Sequence, residues 1–87
     1  MRVKSKFDFY SDAGHGWLKV HILMLQKMGI DKNVTSFSYI HGGDVFLEED
    51  CDAPMFMKKY EELFGKKPEL NYHTTDKRSR IRNYHSY

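Results

Sequence analysis

Five carboxylates, Asp44, Glu48, Glu49, Asp50 and Asp52, fall within nine residues of a chain whose sum is basic. Clustered acids of this kind can bind a hard cation such as magnesium, with waters completing the shell. Like charges held close can also raise a pKa far enough for general acid work. A simpler account competes with both. Pro54 suits the first turn of a helix and Asp52 suits its cap, so Asp50 and Asp52 would be favoured by the macrodipole and the unsatisfied N–H groups there. That account leaves Glu48 and Glu49 over, and these two are expected to face a partner.

The second chemical candidate is His15, set between Gly14 and Gly16, three residues from Asp12 and two from Trp17. A glycine-flanked histidine can approach a ligand closely, and an aspartate could fix its tautomer, as a general base requires. Asp12 and His15 are therefore the catalytic candidates. The alternative is a tight turn whose glycines meet backbone demands, with His15 exposed. No Ser or Cys nucleophile is tied to His15 by motif, and the loop matches no glycine-rich phosphate fingerprint. His21, His41, His73 and His85 show no ligand spacing, and Cys51 is the only thiol, so neither a multi-cysteine zinc site nor an internal disulfide can form. No metal and no cofactor is implied, and the pattern favours a binding protein over an enzyme.

The third group is the basic strip Lys77-Arg78-Ser79-Arg80-Ile81-Arg82, with Tyr72, Tyr84 and Tyr87 around it. Four cations among aromatic rings resemble a strip that contacts phosphates and stacks on bases. Against this stand a net charge of only +2 and the absence of a nucleic-acid-binding motif. The strip could equally be a solvated tail, or fold back onto Glu48, Glu49 and Asp50 of its own chain or a second copy. Trp17 reads first as a core residue and second as an interface anchor.

Eighty-seven residues that are 40% hydrophobic and 15% aromatic must position these groups. That suffices for one small domain of modest stability, about 5 kcal/mol, which dimerisation would increase. Residues 1–76 are expected to form the compact body and 77–87 a basic, aromatic arm. Lys6–Tyr10 and Trp17–Val20 read as strands separated by a tight turn at 11–16. His21–Met28 reads as a helix stopped by Gly29, although its start lacks a Ser, Thr or Asp cap. Thr35–His41 and Val45–Glu48 read as a hairpin about Gly42-Gly43-Asp44, with Phe37 and Tyr39 on one face. The second helix runs from Asp52 to Gly65 on a stripe of Phe56, Tyr60 and Leu63, widened by Met57 and Phe64. Glu69–Thr74 is a last strand, and residues 83–87 are loosely held unless they add an edge. The predicted class is α+β, order β-β-α-β-β-α-β, with an antiparallel sheet and two helices packed on one of its faces. No apolar run is long enough to cross a membrane, and the lone cysteine suits a reducing cytoplasm.

The stretches Tyr10–Leu18, Leu47–Ala53 and Ser79–Tyr84 resemble those of small uncharacterised proteins encoded by bacteriophages and prophages. The resemblance implies a phage-type accessory protein in the host cytoplasm that acts by binding a host protein or protein–nucleic acid complex, such as an inhibitor of a bacterial defence system. It carries over no catalytic residues. The expected contact residues are His15, Trp17, Glu48, Glu49, Lys77, Arg78, Arg80 and Arg82. The alternatives are nucleic-acid binding by the arm and a small hydrolase using Asp12 and His15.

Overall fold

A computed structural model describes residues 4–77 and 79–87; Arg78 lies outside the described residues. Strands β1 (Lys6–Ser11) and β2 (Gly16–His21) form the first hairpin, and helix α1 (Ile22–Lys27) follows without a linker. A single 3-10 turn (Asp31–Asn33) leads to β3 (Tyr39–His41) and β4 (Asp44–Glu48). Helix α2 (Asp52–Phe64), β5 (Glu69–Thr74), a second 3-10 turn (Arg80–Asn83) and β6 (His85–Ser86) complete the chain. The class is α+β, as expected.

The six strands form one sheet in the order β5-β1-β2-β4-β3-β6. Among the described residues every pairing is antiparallel except β1 with β5, where Phe7 faces Leu70 and Phe9 faces Tyr72 in parallel. The direction of β5 follows from the connections. β1 and β4 both run antiparallel to β2, so they share a direction, and α2 carries the chain back before β5 begins. A strand after such a crossover runs parallel to the one before it.

Alternation divides the sheet into two covered faces. Phe7, Leu18, Val20, Val45 and Leu47 point to the face that both helices cover, against Leu25 and Met28 of α1 and Phe56 and Tyr60 of α2. The other face carries Trp17 and Phe46, and Ile81 from the C-terminal segment packs onto them. A domain with a helix-covered sheet would ordinarily leave its second face to solvent. Here Ile81 and Tyr84 of the C-terminal segment pack on it, and that segment positions the site described below.

Local boundaries follow the backbone chemistry. Gly42 and Gly43 both have positive φ, 58° and 88°, the requirement of a two-residue hairpin turn that suits strand twist. His21 caps α1, its Nδ1 accepting from the Leu23 N–H, so the missing cap is an imidazole. The helix is shorter than predicted at both ends. The third strand also begins later than predicted. Thr35–Ser38 turns inward to bond Asp52, and Phe37 is 72% exposed, not on a shared face with Tyr39. On α2, Phe56 and Tyr60 are buried while Leu63 is half exposed, so the apolar stripe ends a turn early. The C-terminal residues do add an edge: β6 pairs with β3, the Tyr87 N–H donates to the Ser38 carbonyl at 2.8 Å, and the Tyr87 hydroxyl donates to the Asp31 carbonyl.

Candidate functional site

Each of the three sequence-derived groups is placed by a specific set of bonds, and two prove to be structural. In the acidic run, Glu48 accepts from the N–H groups of Asp50 at 2.9 Å, Asp52 at 3.0 Å and Cys51. It thus satisfies the donors that the start of α2 leaves unpaired. Partial burial pushes the Glu48 carboxyl up, but those three N–H donors outweigh it and hold the group below the usual carboxylate range. Glu48 therefore does the capping that the sequence suggested for Asp52. Asp52 is instead buried and accepts from the Thr35 N–H at 3.0 Å, the Thr35 hydroxyl at 2.7 Å and the Ser38 hydroxyl. It ties the loop before β3 to α2. Among the described residues no three His, Cys, Asp or Glu side chains gather in a way that could hold a metal ion. Cys51 is exposed, and the charge of Glu48, then desolvation and the charges of Asp52 and Asp50, push its thiol above the usual range. A nucleophilic cysteine needs the opposite.

Asp12 and His15 do not form a base pair of the catalytic kind. One Asp12 oxygen accepts from the backbone N–H groups of Gly14 and His15, at 3.0 and 2.9 Å, closing the turn. Both oxygens also receive the Arg82 guanidinium, Nε to Oδ2 at 2.7 Å and Nη2 to Oδ1 at 2.8 Å, and the Ser79 N–H donates at 3.0 Å. The Arg82 bond, followed by the Ser79 N–H, holds the Asp12 carboxyl far below its ordinary 3.8. The His15 ring is exposed and contacts Trp17 instead, with ring centres 6.1 Å apart. The chemistry expected of this loop is replaced by a clasp. Asp12 receives the arm, and Arg82 in turn lies over the Trp17 ring at 5.5 Å. Trp17 is only 3% exposed and cannot serve as a free contact residue. The arm's docking partner is thus Asp12; among the described residues no ion pair joins the arm to Glu48, Glu49 or Asp50.

What the clasp creates is an open groove. Its floor is the arm-side face of the sheet and its wall is the docked arm. Tyr10, Lys19 and Phe46 come from β1, β2 and β4; Thr75, Lys77, Ser79, Arg80, Ile81, Asn83 and Tyr84 come from the C-terminal segment. The volume is about 700 Å³, within the range of ligand-binding clefts. Lys77 and Arg82 also line a smaller hollow of about 200 Å³ beside Asp12 and Gly14, so Lys77 borders both spaces.

Two properties give the groove its chemistry. The first is charge. Lys77 and Arg80 are exposed, and among the described residues neither side chain is in an ion pair. Lys19 stands 3.7 Å from Asp44. The second is a row of rings. His73 stacks on Tyr10 with centres 4.8 Å apart, Tyr10 lies 6.4 Å from Phe46, Phe46 lies 5.2 Å from Tyr84, and Tyr84 stacks on His41 at 4.2 Å. The row crosses the strands. It combines residues from β1, β3, β4, β5 and the arm, which is why the sequence could not show it. Asp8 shares this face but is occupied by His73 at 3.0 Å and by Asn71. Lys77 and Arg80 are among the contact residues the sequence suggests. Lys19, Tyr10 and Phe46 are not, since their only signal in the sequence is alternation with the buried residues of their strands.

Comparison of the chain with known protein families, with curated proteins and with solved structures finds no match.

Proposed function

We propose that this chain acts by binding a macromolecule, not by turning over a substrate, and that the groove beneath the C-terminal arm is its contact face. One observation carries the reading: Lys77 and Arg80, in no ion pair among the described residues, and the half-exposed Lys19 meet around a cleft of about 700 Å³ floored by aromatic rings. Two of the carboxylates that stood as candidates for chemistry are, by contrast, consumed in holding the fold. Asp12 is saturated by Arg82 and backbone donors, and Glu48 caps α2. A cationic cleft draws an anionic partner and raises its encounter rate.

The resemblance to phage-encoded proteins supplies the biological setting of the proposal. A phage-type accessory protein with such a face would engage a host protein–nucleic acid complex in the cytoplasm, as an inhibitor of a bacterial defence system does. The test is capture from bacterial lysate with wild-type protein and with the Lys77→Glu/Arg80→Glu double variant. Loss of the captured species with the double variant, and retention with Lys58→Glu on the exposed side of α2, is the expected result. Equal capture by all three would overturn the groove as the contact face.

A further inference from the structure

We propose that the groove takes a single-stranded nucleic acid, its phosphates on Lys77, Arg80 and Lys19 and its bases on the rings of Tyr10 and Tyr84. The inference rests on the reading of the groove as the contact face and names the ligand class of that site.

Three features select this ligand. Cations alone would suit any polyanion, but here they border rings. Base-on-ring stacking contributes to single-strand binding without regard to sequence, because every base has a flat face. Second, the cations are spread over β2 and two points of the arm, and Lys77 continues into the smaller hollow beside Gly14. Spread charge fits a chain of phosphates better than one terminal phosphate. Third, Tyr10 and Tyr84, both half-buried, line the groove from opposite sides of Phe46, and each contacts that ring. A paired duplex keeps its base faces stacked on one another and cannot present them to such a floor; an unpaired strand can.

The arm is what makes the groove permanent. Bidentate pairing of Arg82 with Asp12, with Ile81 seated on Trp17 and Phe46, fixes the wall before any ligand arrives. A preformed site avoids the ordering cost that a free basic tail would incur on binding. Arg82 is therefore a positioning residue, and Lys77 and Arg80 make the contacts.

The experiment is a fluorescence-anisotropy titration of labelled oligothymidylate and oligouridylate of about ten nucleotides, a length within the site sizes of single-strand binders. A duplex of the same length and inorganic polyphosphate serve as competitors. The inference expects binding at about 50 mM salt, with log Kobs falling against log salt at a slope of about −2, since three phosphates at about 0.7 each are neutralised. Arg80→Glu should weaken binding about ten-fold or more, and Tyr84→Leu, which keeps apolar volume but removes the ring, by about five-fold. Lys58→Glu makes the same change in net charge on the helix side and should leave affinity unchanged. Absence of binding, tighter binding of the duplex, or an equal loss with Lys58→Glu overturns the inference. Polyphosphate competing as well as the oligonucleotide, phosphate for phosphate, also overturns it while the lysate capture still distinguishes groove variants. In that case the contact face stands and its ligand is a different anion.

Discussion

At the scale of single residues, carboxylates that looked chemical are the joints of the fold. Asp12 is the clearest. Its folded-state pKa is depressed, so its contribution to stability is complete at neutral pH. That contribution starts to fall once the pH drops below the ordinary value of 3.8, and it continues to fall well below that. The Tm difference between wild type and Arg82→Gln should therefore be largest near neutrality and shrink below pH 4; a difference that stays constant into acid would contradict the clasp. Asp52 predicts differently. Asp52→Ala leaves the Ser38 hydroxyl and the Thr35 N–H without their acceptor, a loss of about 2–3 kcal/mol. In a domain of this size that lowers Tm by roughly 10 °C or more. Gly16 is a joint of another kind. A Cβ there would stand 2.6 Å from the Phe9 ring, so Gly16→Ala should cost about 1–3 kcal/mol, measurable by urea unfolding.

At the scale of elements, α2 depends on a cap from the preceding strand. Glu48→Ala removes the acceptor for three N–H groups at the helix start and should cost about 1 kcal/mol. It should also lower the Cys51 thiol pKa, since Glu48 is its largest perturber, and so speed alkylation by iodoacetamide at pH 8. The elements themselves were largely legible in the sequence. Alternation marked β1, β2 and β4, the paired glycines marked the β3–β4 turn, and the spacing of Phe56 and Tyr60 with Gly65 marked α2. Three things were not legible, for definable reasons. Capping by Glu48 is contributed from outside the helix, so no helix-start pattern contains it. The pairing of β5 with β1, about sixty residues away, is a long-range choice that local residue types do not encode. Tyr10, Lys19 and Phe46 point to a sheet face that, without the arm docked upon it, would read as ordinary half-exposed surface.

At the scale of the whole molecule, the C-terminal segment is a structural member and a functional wall together. It buries Trp17 and Phe46 beneath Ile81, closes the clasp on Asp12 and extends the sheet through β6. Burying one such side chain contributes about 1.5–3 kcal/mol, so uncovering Trp17 and Phe46 would remove most of the stability expected of so small a domain. A chain truncated after Asp76 should lose its cooperative melting transition, and its tryptophan emission should shift to the red. No helix among the described residues is long and apolar enough to cross a membrane. The two sheet faces divide the work: the helix side holds the core, and the arm side offers the charged, ring-lined surface.

The most direct measurement of the central claim is residue-resolved. Backbone amide shifts of isotopically labelled protein, followed by NMR during titration with an unlabelled single-stranded oligonucleotide, map where the ligand sits. The account predicts that shifts concentrate at Tyr10, Lys19, Phe46, Lys77, Arg80 and Tyr84 and spare the exposed sides of α1 and α2. Shifts centred on the helices, or on the Gly42-Gly43 turn with the groove silent, would contradict it.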